Sequence, residues 1–232
     1  LLQDNLAGQA CGTLIRAPPV AVTESVVDEM GRKHPDMRAE DLVNLACLRE
    51  VAGAAAFQAD VDAVAKALSS FSRGSGAGPS GLRPQHLKEA LVPGLRDEVL
   101  RHVADVVNLM ARGEAPAEIH GWLCGASLAA LPKPSGDLRP VAVGETWRRL
   151  TGKTLAASVG PDLKDHFEPI QLGVGTSGGC EATAHVVRQW LSRNCTNTKK
   201  VLVTLDLENA FNCVDRSAFL GELRRLAPGL VP

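Results

Sequence analysis

Tyrosine is absent from the 232 residues, and phenylalanine and tryptophan together bring the aromatic share to only 3%. With so few rings, base-stacking platforms built on aromatic clusters are not expected. No apolar run approaches the roughly 20 residues of a membrane-spanning helix, and the mean hydropathy is +0.00, so no membrane partner is expected. The six cysteines (Cys11, Cys47, Cys124, Cys180, Cys195, Cys213) never form a CxxC pair. Zinc knuckles and a dense disulfide framework are thereby excluded, and a reducing compartment is expected. The six histidines show no HxxxH or His/Cys spacing of the kind that ligates metals. No Asp-Asp dipeptide occurs. The first residue is Leu, and no basic segment leads into an apolar signal core, so a piece of a longer chain without a signal peptide is expected.

Hydrophobic residues make up 45% of the chain and charged residues 22%, enough apolar side chains for one large domain or two small ones. The net charge of −1 hides an uneven distribution. Residues 1–70 carry six Lys/Arg against ten Asp/Glu, whereas residues 71–160 carry eleven against eight. The middle third therefore holds a modest basic surplus, which fits a nucleic-acid surface and equally a solvated mixed-charge one.

Along the chain, residues 1–19 end in Ala17-Pro18-Pro19 and read as a loop. Helical composition follows over Val20–Met30 and Ala39–Phe57, with Thr23 and Asp36 as plausible starts, and again over Asp60–Leu68. Residues 72–81 hold four glycines, too many for a helix interior. Pro84 opens a short helix over Gln85–Leu91, and the clearest helix runs from Leu95 to Met110 before Gly113. Trp122–Leu131 and Leu138–Val143 flank a turn with Ser135-Gly-Asp137 at its tip, a β-hairpin pattern. A helix is expected over Thr146–Val159, ended by Gly160-Pro161, and another over Glu181–Leu191. Lys200–Leu205 is β-branched and apolar, which predicts a buried strand, and Asp215 caps a last helix over Arg216–Leu226. Helices first, then strands interleaved with helices, predict an α/β or α+β fold.

Two constellations carry chemistry. Asp206 leaves the end of the expected strand Val201–Leu205, where a carboxylate becomes a hard-oxygen ligand for Mg²⁺, or merely caps the next turn. Lys133 and Arg139 flank the hairpin tip and can reach an anionic ligand from two sides, or serve as solubilising cations. A third string, Gly173-Val-Gly175-Thr-Ser-Gly178, precedes a helix and imitates a dinucleotide-binding turn with Asp206 as the ribose acid. Against that NAD(P)-binding oxidoreductase reading, Pro169 spoils the preceding strand, and Asp206 lies 28 residues beyond Gly178 instead of roughly 20.

Taken in order, Gly78-Pro-Ser-Gly-Leu-Arg-Pro-Gln-His-Leu-Lys88, Leu131-Pro-Lys-Pro followed by Leu138-Arg-Pro-Val141, Gln171-Leu-Gly-Val-Gly175, Leu205-Asp-Leu-Glu-Asn-Ala-Phe-Asn212 and Val214-Asp-Arg216 resemble the reverse transcriptase of non-LTR retrotransposons. The resemblance covers Phe57 to the C-terminus. It implies a right-hand polymerase: a helical extension or linker over 1–56, fingers over 57–170, and an incomplete palm over 171–232.

The resemblance also implies roles. Asp206 matches the first catalytic aspartate, a ligand of both Mg²⁺ (or Mn²⁺) ions, and Leu207 the position whose backbone carbonyl completes one metal site. Phe211 matches the gate under the nucleotide sugar, and Lys133 and Arg139 the cations on the incoming triphosphate. The implied partners are an RNA template, a DNA primer, deoxynucleoside triphosphates and the remainder of the polymerase chain. The family's aromatic-x-Asp-Asp turn is missing, so this stretch is not expected to polymerise alone. A non-catalytic nucleic-acid-binding relic shares every residue with that reading except a working metal site.

Overall fold

The computed structural model describes residues 18–34, 57–173, 176–207 and 209–230. The expected helix over 39–57 and the candidate start at Asp36 fall almost wholly outside them, as do residues 1–17 and Gly175. The elements, in order, are α1 (Glu24–Lys33), α2 (Val61–Ser69), α3 (Pro84–Glu89), α4 (Arg96–Ala111), α5 (Ala117–Cys124), β1 (Ala126–Pro132), β2 (Leu138–Gly144), α6 (Thr146–Phe167), α7 (Gly179–Asn194) and α8 (Arg216–Leu226). Helices dominate, and the sheet among the described residues is one two-stranded antiparallel hairpin, an α+β arrangement.

Local chemistry accounts for the helix ends. Asp60 Oδ1 accepts from the Ala63 N–H at 2.6 Å, Asp215 Oδ1 from the Ala218 N–H at 3.0 Å, and Thr23 Oγ1 from the Val26 N–H at 3.4 Å. Each satisfies one of the donors a helix start leaves unpaired. Pro84 occupies the first position of α3, where its missing N–H costs nothing.

The main core lies where α2, α4 and α6 meet. Val64, Leu68 and Phe71 from one side, Val103 and Val107 from α4 and Leu150 from α6 are buried together. Trp147, Val99 and Leu91 close its margin. Asn108 is buried among these apolar groups, and it is satisfied: its Oδ1 accepts from the Ala59 N–H at 2.7 Å and its Nδ2 donates to the Ala59 carbonyl at 3.0 Å. One amide thus does for Ala59 what a strand partner would. A second, smaller cluster of Met30, Ala130 and Leu138 seats α1 on the hairpin.

A buried carboxylate joins the glycine-rich loop to the rest. Glu145, between β2 and α6, is 1% exposed. Its oxygens accept from the Ser80 N–H (3.0 Å), the Ser80 hydroxyl (2.7 Å) and the Thr146 N–H (2.9 Å). Burial alone raises such a carboxyl, but these donors and the nearby Arg149 charge outweigh it and hold Glu145 below its ordinary value. Gly78 must be glycine here, since a Cβ would stand 2.5 Å from Glu145 Cα. Thr146 Oγ1 donates to the Leu82 carbonyl at 2.6 Å and completes the junction.

Thr23, one of the expected starts, caps the first helix, which begins at Glu24 within the Val20–Met30 stretch of helical composition. Three expectations are corrected. Trp122–Cys124 belongs to helix α5, and the hairpin starts at Ala126 after Gly125. Helix α6 does not stop at Gly160-Pro161 but continues to Phe167 with Pro161 inside it. Ala157 and Pro161 are both exposed, so solvent can take the carbonyl that proline leaves unpaired. Lys200–Leu205 is neither strand nor buried: Leu205 is 87% exposed, and no strand among the described residues lies beside it to complete a ladder.

Removing the Asn108 amide tests the core. Asn108→Ala leaves the buried Ala59 N–H and carbonyl unpaired, at a cost of roughly 1–3 kcal/mol. Urea unfolding should show a lower midpoint at an unchanged slope, and an unaltered midpoint contradicts the assignment.

Candidate functional site

The site is a cleft of about 680 Å³ between the hairpin and the 206–212 loop, with Lys33, Lys133, Arg139, Asp206, Leu207 and Phe211 among its walls. The two constellations singled out in the sequence, some 70 residues apart, therefore face one another across a single space.

The hairpin register sets the cationic wall. Leu131 pairs with Arg139 and Pro132 with Leu138, and alternation along β2 buries Leu138 while turning Arg139 outward. Arg139 makes no ion pair with any described residue, so its guanidinium is available to a ligand. Lys133 is engaged. Its Nζ meets Asp137 Oδ2 at 2.8 Å, while Lys33 Nζ meets Asp137 Oδ1 at 2.6 Å and Glu29 Oε1 at 2.9 Å. Lys33 also donates to the Leu138 carbonyl at 2.5 Å. Hydrogen bonds from Lys133 and then Lys33 hold the Asp137 carboxyl well below the usual carboxylate range, and the same contacts raise Lys33. An anion entering this cleft must compete with Asp137 for Lys133 but not for Arg139.

The acidic wall is a loop pinned from behind. Asn209 adopts the left-handed conformation (φ 53°), which asparagine tolerates, and its Nδ2 donates to the Lys33 carbonyl at 2.8 Å. Its own carbonyl accepts from the Asn212 and Cys213 N–H groups at 3.0 and 3.1 Å, folding the chain back on itself. This turn ties the loop to the end of α1, beside the lysine that clasps Asp137. Asp206 and Leu207 are exposed on the cleft, and Phe211 is 97% exposed, an apolar ring with nothing packed on it.

Sequence reasoning missed Lys33, Asp137 and Asn209. Asn209 carried a signal, since asparagine in a short polar run is the residue that accepts positive φ. Lys33 carried none, because its partner lies 104 residues away.

The donor set does not fit a two-ion centre. Among the described residues no three His, Cys, Asp or Glu side chains converge, and the cleft offers one carboxylate, Asp206, with the Leu207 carbonyl. Two Mg²⁺ ions demand near-octahedral oxygen shells that this pair cannot supply.

The dinucleotide-binding alternative fails on architecture. It requires a βαβ unit, yet Phe167 ends a helix, residues 168–172 form no strand, and Asp206 follows no strand. Glycine serves packing here. Gly178 (φ 68°) caps α7, and a Cβ on Gly179 would strike the Leu172 carbonyl at 1.8 Å. Gly173 has its N–H bonded to the Gln171 side chain at 2.7 Å.

Over 163 residues, 69% of its length, the chain is 30% identical to the retrotransposable element SLACS 132 kDa protein of Trypanosoma brucei gambiense. The aligned stretch spans 13% of that protein. No protein-family model matches the chain, and no solved structure matches it. The chain is thus related to a retrotransposon protein.

The clasp at the hairpin tip makes a pH prediction. Asp137 has a folded pKa below its unfolded value near 3.9, so its stabilising effect is present above that value and lost as pH falls through and below it. Asp137→Asn should therefore flatten the acid limb of the stability profile, read by thermal melts between about pH 2 and 6. An acid limb identical to the parent's contradicts the clasp.

Proposed function

We propose that the cleft is the nucleotide-entry face of an RNA-directed DNA polymerase encoded by a retroelement, with 57–170 as fingers and 171–232 as the start of the palm. The observation that carries the reading is the meeting of Lys133 and Arg139 with Asp206 and Phe211 across one space. In this reading Arg139 grips triphosphate oxygens bidentately, and Lys133 adds a point charge after releasing Asp137. Phe211 stands where a bulky ring collides with a 2′-hydroxyl, selecting deoxynucleotides. Asp206 and the Leu207 carbonyl would hold a Mg²⁺ or Mn²⁺ ion, which would supply charge neutralisation for the nucleotide's phosphates. Further carboxylates of a two-metal centre, along with the primer grip, belong to the remainder of the polymerase chain. The retrotransposon relative supports this assignment, and its far greater length leaves room for those parts.

The test uses a longer chain encoded by the parent element. Asp206→Asn keeps the shape but removes the charge opposite the metal, and should cost at least ~10²-fold in primer extension. Phe211→Ala should leave extension largely intact while admitting ribonucleotides. Parental rates from Asp206→Asn at saturating Mg²⁺ overturn the metal assignment, and unchanged sugar discrimination in Phe211→Ala overturns the gate.

A further inference from the structure

A second charged hollow, of about 420 Å³, lies away from the cleft, between the Ser70–Ser75 turn and the first turns of α6. Arg149 and Lys153, four residues apart on one face of α6, line it together with Ser72 and Ser75. Its floor is the buried ring of Phe71, with Arg149 Cζ 5.3 Å and Lys153 Nζ 4.9 Å from the centroid. The aromatic face fixes both cations in place and leaves their outer donors free. Lys88 reaches the same turn from α3, donating to the Ser69 carbonyl at 3.0 Å and the Phe71 carbonyl at 2.6 Å. Arg73 projects from the turn itself, exposed.

The partners of these cations are all neutral. Arg149 donates to the Gly76 carbonyl at 2.7 Å and Lys153 to the Ser70 hydroxyl at 3.0 Å. None of the four makes an ion pair with a described residue. Glu145, the carboxylate one turn before Arg149, has its oxygens occupied by Ser80 and Thr146. Glu145 feels the Arg149 charge only at longer range, and Lys88 registers the crowding of like charge: burial and then the Arg73 and Lys153 charges lower its pKa. The Ser72 and Ser75 hydroxyls, 3.1 Å apart, share one hydrogen bond and leave a second hydroxyl hydrogen to donate. Fixed guanidinium, ammonium and hydroxyl donors around a hollow with surplus positive charge are the chemistry that takes phosphate oxygens.

We infer that this hollow, lined by Arg149 and Lys153 with Arg73 and Lys88 on and behind its turn, binds the backbone phosphates of a single nucleic-acid strand. The choice of nucleic acid over free phosphate rests on the polymerase reading. The contact is sequence-independent, because it reaches phosphates and not base edges.

The test measures binding of the 232-residue chain to a labelled single-stranded RNA of about 15 nucleotides across a salt series. Arg73→Gln removes an exposed cation that supports nothing else, so it does not threaten folding. Lys153→Gln is paired with Lys153→Arg, which keeps the charge over Phe71, and circular dichroism verifies the fold of each. Arg73→Gln and Lys153→Gln should each weaken binding several-fold and lower the slope of log K against log salt by about 0.7, with Lys153→Arg close to the parent. Unchanged affinity and slope in both Gln variants, or no RNA binding by the parent even at low salt, overturns the inference. Inorganic phosphate that binds in a Lys153-dependent way while RNA does not also overturns it, in favour of a free-phosphate site. Titration with Mg²⁺ and a deoxynucleoside triphosphate separates this from the cleft. Nucleotide binding retained without any slope change sinks the hollow alone. A Lys153-dependent slope without nucleotide binding supports the hollow and sinks the polymerase reading of the cleft.

Discussion

The buried Glu145 carboxylate is the constraint on which the rest of the arrangement depends. It sits at the junction of the hairpin and the long helix α6, and it is tolerated there only because three donors surround it. Those donors come from the glycine-rich loop and from the helix start, so satisfying one charge fixes three elements. The close approach that this requires explains why Gly78 has no side chain. From this junction β2 runs out toward Arg139, and α6 runs back across the core through Leu150. The cationic wall of the cleft and the basic hollow around Arg149 are thus held on opposite arms of one buried hydrogen-bond cluster.

The cleft's geometry is set at the hairpin's other end. Asp137 draws Lys33 and Lys133 together, and Lys33 in turn presents its carbonyl to Asn209. A single carboxylate at a turn therefore joins α1, the hairpin and the Asp206 loop. The Arg139 guanidinium is left out of this clasp and faces the cleft unpaired. That division gives the site two cations engaged with Asp137 and one ready for a ligand.

Legibility in the sequence followed the range of the interactions. Caps and most stops were readable because their physics is local: Thr23, Asp60, Pro84, Gly113 and Asp215 each bound a helix in the structure, while Gly160-Pro161 did not end α6. The hairpin was readable from Pro132–Asp137, and its two cations were legible as a pair. Lys200–Leu205 was misread, because β-branched apolar residues state a preference that only a neighbouring strand can realise, and the described residues provide none. Phe211 and Leu205 remain exposed for the same reason. The glycine string misled in the opposite way, since the left-handed conformation of Gly178 at the cap of α7 calls for the same residue as a phosphate turn. Lys33 and Glu145 tie distant elements together through contacts with Asp137 and Ser80, 65 or more residues away, for which no local pattern exists. The relationship to a retrotransposon protein rests on 30% identity over 163 residues and is independent of these contacts.

The central claim is that Arg139 and Asp206, from segments remote in sequence, serve one nucleotide. Mn²⁺ in place of Mg²⁺ tests it most directly, because its unpaired electrons broaden the NMR signals of nearby residues. With a deoxynucleoside triphosphate present, the account predicts broadening at both 131–140 and 206–212, weakened at both by Arg139→Gln. Broadening confined to one segment, or unchanged by omission of the nucleotide, would contradict it.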